Sequence, residues 1–169
     1  MVLATCRGRV PGTFTQCAGE PYYWGRSLVL TRNSAFSYKQ AINDLADKGR
    51  ISYRGCANEL RETLRETLDY LAPDNDVVAQ PSFKLDKSMT KPTMKQKVRY
   101  ILAARGMVRN ASKAPEDAVE LIEERIGGLA RATYDKSSIS SHTSSERGEV
   151  VRIKNYVNAL LAELLEVQA

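Results

Sequence analysis

Apolar residues recur at helical spacing along most of this chain, and this periodicity limits the folds open to it more than any other feature. The clearest stripe has steps of three and four positions and consists of Ala57, Leu60, Leu64, Leu68 and Leu71. A second stripe lies near the end of the sequence and consists of Val150, Ile153, Val157, Leu160, Leu161, Leu164 and Leu165. Such stripes are typical of helices that bury one face against neighbouring helices. The chain is therefore predicted to be an all-α protein.

Prolines and glycines mark where the helices of this pattern begin and end. Pro92 is predicted in the first turn of a third helix, which Gly106 closes. Residues 107–114 are predicted to form a polar loop, and Pro115 is predicted to open a fourth helix. Together the segments predict a four- to five-helix bundle over residues 34–169, because helices joined by short connections pack as antiparallel neighbours.

The first 33 residues lack this periodicity. Their six glycines and prolines are Gly8, Pro11, Gly12, Gly19, Pro21 and Gly25. Residues 28–30 fit either a strand or an extended arm. Tyr22, Tyr23 and Trp24 fit a cluster that packs onto the domain, and the alternative is a surface on which nucleic-acid bases stack. The sequence thus predicts an irregular N-terminal arm, residues 1–33, ahead of the bundle domain.

Composition excludes several classes of protein. The 169 residues carry a net charge of +5 and no apolar run long enough to span a bilayer, so no membrane association is expected. The three cysteines and the single histidine lack the close pairs of a structural zinc site. The Walker, dinucleotide-binding, HExxH and GxSxG motifs do not occur either, and we expect no metal and no other cofactor. An odd number of widely spaced cysteines favours a reducing, cytoplasmic location over a disulfide framework.

The only histidine, His142, lies in a serine-rich segment, six positions after Lys136. An imidazole can take a proton from a ribose 2′-hydroxyl and return one to the leaving oxygen, while a cation stabilises the charge on the phosphate. Tyr134, Ser138 and Arg131 could support that phosphate. On a helix the two side chains would lie about 120° apart, whereas in a bent loop both could face one pocket. The segment is therefore a candidate catalytic site for metal-independent RNA cleavage, and the alternative is a capping or surface histidine.

A basic stretch precedes this segment. Between Lys84 and Lys113 the chain has nine cationic residues and one acidic residue. Lysines on a helix usually form a solvated face, but a one-sided excess of this size favours contact with phosphates. The residues predicted to bind nucleic acid are Lys91, Lys95, Lys97, Arg99 and Arg105.

Several separated motifs point to one family. In order, they are residues 50–62, residues 71–73, residues 91–102 and a spaced tail with Tyr134, His142, Glu149 and Tyr156. Together they resemble the bacterial domain known as the predicted pPIWI-associating nuclease, over about residues 35–167. The resemblance implies a nuclease domain associated with Argonaute-like proteins in prokaryotic defence.

The helix layout is also similar to the wider HEPN group of α-helical bundles, whose members often dimerise. HEPN ribonucleases carry an arginine four to six residues before a histidine, and Lys136 and His142 stand at those positions here. Lysine keeps the charge of that arginine but lacks its planar, bidentate contact with phosphate. The resemblance implies an endoribonuclease that acts on RNA rather than DNA, as a homodimer and with partner proteins of a defence system. The alternative is a non-catalytic helical module that binds nucleic acid or dimerises within a defence complex.

Overall fold

The computed structural model of the chain describes residues 14–15, 22–24, 28–81, 83–86, 89–131 and 143–165. The strands are β1 (Phe14–Thr15), β2 (Tyr22–Trp24) and β3 (Leu28–Leu30). The helices are α1 (Arg32–Ala46), α2 (Arg54–Leu71), α3 (Asp74–Val78), α4 (Met94–Ala104), α5 (Arg109–Arg131) and α6 (Thr143–Leu164). Helices dominate these ranges, which confirms the predicted all-α class.

The three strands form one small antiparallel sheet in the order β1, β2, β3. Tyr23 pairs with Thr15 on one side and with Val29 on the other. Aromatic and β-branched residues favour strands, and a glycine, Gly25, lies among the three residues between β2 and β3, as is typical of a hairpin. Strand β3 is one of the two alternatives that the sequence left open for residues 28–30, whereas β1 and β2 lie in an arm that was predicted to be irregular.

The core of the bundle is built on α2, which packs against α1, α4, α5 and α6. The predicted stripe on α2 is buried except for its last residue, Leu71, which is partly buried. Leu60, Leu64 and Leu68 have no exposed surface. Ile153 and Leu161 of α6 are also fully buried. Each buried side chain of this size stabilises the fold by about 2 kcal/mol relative to an exposed one, so the two apolar stripes hold the bundle together.

Two local signals determine where α4 begins and ends. Thr93 and Gln96 form a capping box, in which each side chain accepts a hydrogen bond from the backbone N–H of the other residue. Gly106, at a positive φ of 76°, reverses the chain after the helix. The sequence predicted that Pro92 lies in the first turn of this helix. The prediction is wrong, because the helix begins at Met94 and Pro92 precedes its N-cap residue, Thr93.

The helix α5 begins six residues earlier than the sequence predicted, at Arg109 and not at Pro115. The backbone N–H of Ser112 already donates to the carbonyl four positions back, so a helical turn exists before the proline. Pro115 cannot donate to the carbonyl of Ala111, but Ala111 is exposed, and water can satisfy that carbonyl. The predicted loop over residues 107–114 is therefore wrong for residues 109–114.

Candidate functional site

The segment that holds most of the predicted catalytic residues connects α5 to α6. Helix α6 begins at Thr143, directly after His142 in the sequence. The residues that lie outside the described ranges are Tyr134, Lys136, Ser138 and His142. Their catalytic roles stay predictions.

Arg131 is the predicted catalytic residue that the structure does describe. It occupies the last turn of α5 and is exposed. Its Nη1 lies 3.1 Å from the position that a Cβ on Gly127 would take, so the glycine leaves room for the guanidinium. Within the described part of the chain, Arg131 forms no ion pair. An unpaired arginine at this place can meet an anionic ligand.

Glu146, in the first turn of α6, connects that helix to the beginning of α2. Its carboxylate accepts hydrogen bonds from the backbone N–H of Tyr53 at 3.2 Å and from the Ser52 hydroxyl at 3.3 Å. One of its oxygens lies 2.9 Å from Nε of Arg54. The Glu146 side chain is only 11% exposed. Because α2 has no side-chain cap from its own N-cap residue, a carboxylate from α6 stabilises the positive end of that helix.

Two further arginines lie at this end of the bundle. Arg50, between α1 and α2, forms an ion pair with Asp44, with Nη1 and Oδ1 2.6 Å apart. Arg147, the neighbour of Glu146, donates from Nε to the carbonyl of Leu45 at 3.2 Å, in the last turn of α1. We call the three arginines and their two carboxylates the arginine site. Its members are Arg50, Arg54, Arg147, Asp44 and Glu146.

Cys56 is buried next to the arginine site. Burial raises the pKa of its thiol; the charge of Arg50 opposes this shift, and the charges of Asp44 and Glu146 reinforce it. A thiol with a raised pKa stays protonated at neutral pH and is a poor nucleophile. Cys56 is therefore not a candidate nucleophile at this end of the bundle.

A second group of ion pairs joins α5 to α6. Nη1 of Arg125 donates to one oxygen of Glu149, and Arg152 donates to the other at 3.0 Å. Burial alone would raise the pKa of Glu149, but the hydrogen bonds and charges of the two arginines outweigh it and lower that pKa. The Arg125 guanidinium also lies over the ring of Tyr156, 5.5 Å from its centre. These contacts fix the two helices on either side of the undescribed segment.

A shallow groove of about 390 Å³ adjoins the arginine site along α1. Its lining residues are Phe36, Ser37, Lys39, Gln40, Asn43 and Glu59. The amide of Gln40, in the lining of this groove, donates to Asp44 of the arginine site at 2.9 Å. Its open shape suits an extended ligand better than a compact one.

The cations of α4 are paired with acids from neighbouring elements. Lys95 lies 2.6 Å from Glu120 of α5. Arg99 donates from Nε and Nη2 to the two oxygens of Glu116, at 3.0 and 2.6 Å. The positive charge of α4 itself is therefore compensated in space.

Lys97 is the most deeply placed of these cations, with a side chain only 4% exposed. Its ammonium group lies 2.7 Å from a carboxylate oxygen of Asp69 and 2.5 Å from one of Asp74. A cation in this position joins α4 to α2 and α3 and has no free surface for a phosphate. The predicted contact of Lys97 with nucleic acid does not fit this burial, and we assign it a structural role.

Replacing Lys97 with methionine is expected to lower the free energy of unfolding by about 1–2 kcal/mol. Methionine keeps most of the buried volume, but the two aspartates lose their cation and repel each other. Urea denaturation at neutral pH measures the change. Lys95→Met, which removes a more exposed cation, is the control and is expected to cost under about 0.5 kcal/mol. Equal costs for the two variants would contradict the structural role of Lys97.

The two remaining predicted binding residues differ in their surroundings. Arg105 donates from its two Nη atoms to the carbonyls of Glu163 and Leu164, at 3.4 and 2.5 Å, and so stabilises the negative end of α6. Lys91 is exposed and forms no ion pair with any described residue. Of the five cations, Lys91 is therefore the one that can reach a phosphate without breaking a contact seen in the structure.

Sequence reasoning did not identify the arginine site, because its contacts join distant parts of the chain. Glu146 and the backbone of Tyr53 are 93 positions apart, and Arg147 and Leu45 are 102 positions apart. Neither pair forms a motif of fixed spacing. The one available signal was that Arg50 and Arg54 lie in the stretch 50–62 that resembles the nuclease family.

The described ranges contain neither a membrane-spanning helix nor a cluster of metal ligands. None of the helices there has both the length and the apolar character needed to cross a bilayer. In the same ranges, no group of three histidine, cysteine or acidic side chains is placed to hold a metal ion.

Comparison with known proteins gives one match. The sequence model of the family described as predicted pPIWI-associating nuclease matches residues 29–164, which is about four-fifths of the chain. Curated proteins and solved structures give no match. The matched range runs from β3 to the last residue of α6 and includes every member of the arginine site, which confirms the resemblance seen in the sequence. The chain therefore belongs to the predicted pPIWI-associating nuclease family.

Proposed function

We propose that this chain is a nuclease that cleaves RNA without a metal ion, as part of a prokaryotic defence system. His142 is its general acid and base, and Lys136 is the cation that holds the reacting phosphate. The observation that carries the proposal is the family match over residues 29–164, which spans the segment with both residues.

The proposed reaction needs a single imidazole. His142 accepts the proton of a ribose 2′-hydroxyl, whose oxygen forms a bond to the neighbouring phosphorus. The bond between phosphorus and the 5′-oxygen breaks, and His142 returns a proton to that oxygen. The products are a 2′,3′-cyclic phosphate and a 5′-hydroxyl. Lys136 stabilises the charge on the phosphate in the transition state. Further hydrogen bonds to the phosphate come from Tyr134, Ser138 and Arg131.

The ion pairs on both sides of the segment support this assignment. Glu146 connects the beginning of α6 to α2, and Glu149 connects α6 to Arg125 of α5. An acid–base group must be held within hydrogen-bond reach of the proton that it moves. Both ion pairs hold α6, the helix that begins directly after His142 in the sequence.

The wider setting of the protein is part of the same proposal. Similarity to HEPN bundles favours a homodimer, and the family description favours a protein partner of the PIWI type. A cytoplasmic location fits both. Lys91 remains a candidate contact with the RNA backbone, because it is exposed and forms no ion pair in the described part of the chain.

The direct test is incubation of the purified protein with a labelled single-stranded RNA in the presence of a chelator. We expect RNA fragments to accumulate over many turnovers, at a rate that the chelator does not change, because no step uses a metal ion. Cleavage that disappears with the chelator would contradict the metal-independent mechanism. RNA binding with a steep salt dependence and no cleavage would instead favour the non-catalytic module.

A further inference from the structure

Arg54 is held by a carboxylate at one edge of its guanidinium. Its Nε lies 2.9 Å from an oxygen of Glu146, yet this Nε is buried and has no well-aligned acceptor. The side chain as a whole is 39% exposed. The described residues offer no partner to its two Nη groups. Because a guanidinium has five N–H donors in a planar fork, much of the fork can meet an incoming anion.

Arg65, on the same helix, is an arginine whose positive charge is compensated by neighbouring carboxylates. Its exposure is nearly the same, at 40%, but it lies 2.7 Å from Glu62, 2.7 Å from Asp69 and 3.6 Å from Glu66. Three carboxylates leave no positive potential at that surface. The two arginines are about 16 Å apart along the helix axis, so they report on separate surfaces.

The neighbours of Arg54 add positive charge to its surface. Arg50 is held by Asp44 and by the carbonyl of Ser52, and Arg147 is held by the carbonyl of Leu45. The Nη2 of Arg50 lies 3.7 Å from the position that a Cβ on Gly55 would take, which places it beside the first turn of α2. Three arginines and two carboxylates leave the arginine site with a net positive charge.

We propose that Arg54 binds a phosphate group of the nucleic-acid substrate, with Arg50 and Arg147 on the same surface. This inference rests on the proposed nuclease function and adds a phosphate-binding residue on α2, outside the segment with Lys136 and His142. Glu146 offsets part of the charge of Arg54 but lies at only one edge of its planar fork, so the other edge stays open to the phosphate.

RNA binding by the full chain that carries His142→Ala tests the proposal, since this change is expected to stop cleavage during the titration. The probe is a fluorescein-labelled single-stranded RNA of about 16 nucleotides, and anisotropy gives its dissociation constant at several salt concentrations. Arg54→Met is expected to weaken binding about tenfold. It should also reduce the slope of log affinity against log salt by about 0.7, the value for one phosphate contact on a single strand. Arg54→Lys should keep the slope and weaken binding about threefold.

Each of two variants at the arginine site has a control at or beside Arg65 that makes the same chemical change. Arg65→Met removes an equally exposed arginine from the same helix and is expected to change affinity less than about twofold. Glu146→Gln releases Arg54 from its carboxylate and is expected to tighten binding about threefold. Glu62→Gln makes the same chemical change beside Arg65 and should have little effect.

Equal weakening by Arg54→Met and Arg65→Met would show a general electrostatic effect and overturn the proposal. The proposal would also be overturned if the His142→Ala chain bound no RNA. It would be overturned too if the Arg54→Lys variant had the same melting temperature and the same dissociation constant for RNA as the His142→Ala chain. These outcomes are separate from those of the nuclease proposal. Binding that depends on Arg54, in a wild-type protein that cuts no RNA, would remove the nuclease function and leave the phosphate contact.

Discussion

Replacing His142 with alanine is expected to slow RNA cleavage by about a thousandfold at neutral pH, the middle of the range for loss of general acid–base catalysis. Both proton transfers of the proposed reaction use this one imidazole. No other histidine can replace it, because the chain has only one. Rates measured with protein in excess over a labelled RNA, in the presence of a chelator, isolate the chemical step from product release.

A change at position 136 completes this test. Lys136→Arg is expected to retain or improve cleavage, since arginine keeps the charge and adds the bidentate contact found in HEPN ribonucleases. Thermal melting followed by circular dichroism shows whether both variants fold as the wild type does. A correctly folded His142→Ala protein that still cleaves at the wild-type rate would remove His142 from the mechanism.

Replacing Arg99 with alanine is expected to lower the free energy of unfolding by about 2–3 kcal/mol. Glu116 is only 8% exposed, so its carboxylate would lose both hydrogen bonds of Arg99 while still largely buried. Removing one partner of a fully buried ion pair costs about 3–5 kcal/mol. The expected cost is smaller here because Arg99 itself is 46% exposed, and water can enter the space that it leaves.

The dependence of this cost on pH provides a second readout. The hydrogen bonds and charge of Arg99 lower the pKa of Glu116 in the folded protein. A lowered pKa contributes stability above the carboxyl's unfolded pKa, near 4.3, and this contribution is lost as the pH falls through the lower folded value. The difference between wild type and Arg99→Ala should therefore shrink below about pH 4.

Urea denaturation at several pH values measures both effects. Arg61→Ala is the matched control, because its pair with Glu123 joins two helices but is exposed on both sides. It is expected to cost less than about 1 kcal/mol. If Arg99→Ala costs no more than Arg61→Ala, the cations of α4 do not hold the bundle, and a role in binding nucleic acid regains support.

The helices could be predicted because their signals are local. The leucines at positions 60, 64 and 68 are one turn apart and share a face, and all three are buried. Gly106 ends its helix because it tolerates a positive φ that other residues rarely adopt. The predicted start of α5 was wrong because a proline is a strong local signal for the first turn of a helix. The sequence did not show that the carbonyl of Ala111, which lacks the N–H of Pro115 as a donor, is exposed to water.

The ion pairs could not be predicted, because they depend on which helices become neighbours. Lys97 and Asp69 are 28 positions apart, and Arg99 and Glu116 are 17 positions apart. In the sequence, the charged neighbours of both cations are mostly other cations. In the folded protein, each cation lies beside a carboxylate from another helix. The same reason explains why the arginine site went unnoticed, since Glu146 and Arg54 come together only when α6 packs on α2.

The chemical identity of the ends of the RNA fragments distinguishes the proposed reaction from other ways of cutting RNA. The purified protein is incubated with an RNA strand and the matching DNA strand in the presence of a chelator, and the fragments are analysed by mass spectrometry. The proposed reaction yields RNA fragments with a 2′,3′-cyclic phosphate at one end and a 5′-hydroxyl at the other, and it leaves the DNA strand intact. Fragments with 3′-hydroxyl and 5′-phosphate ends, or equal cleavage of the DNA, would contradict it.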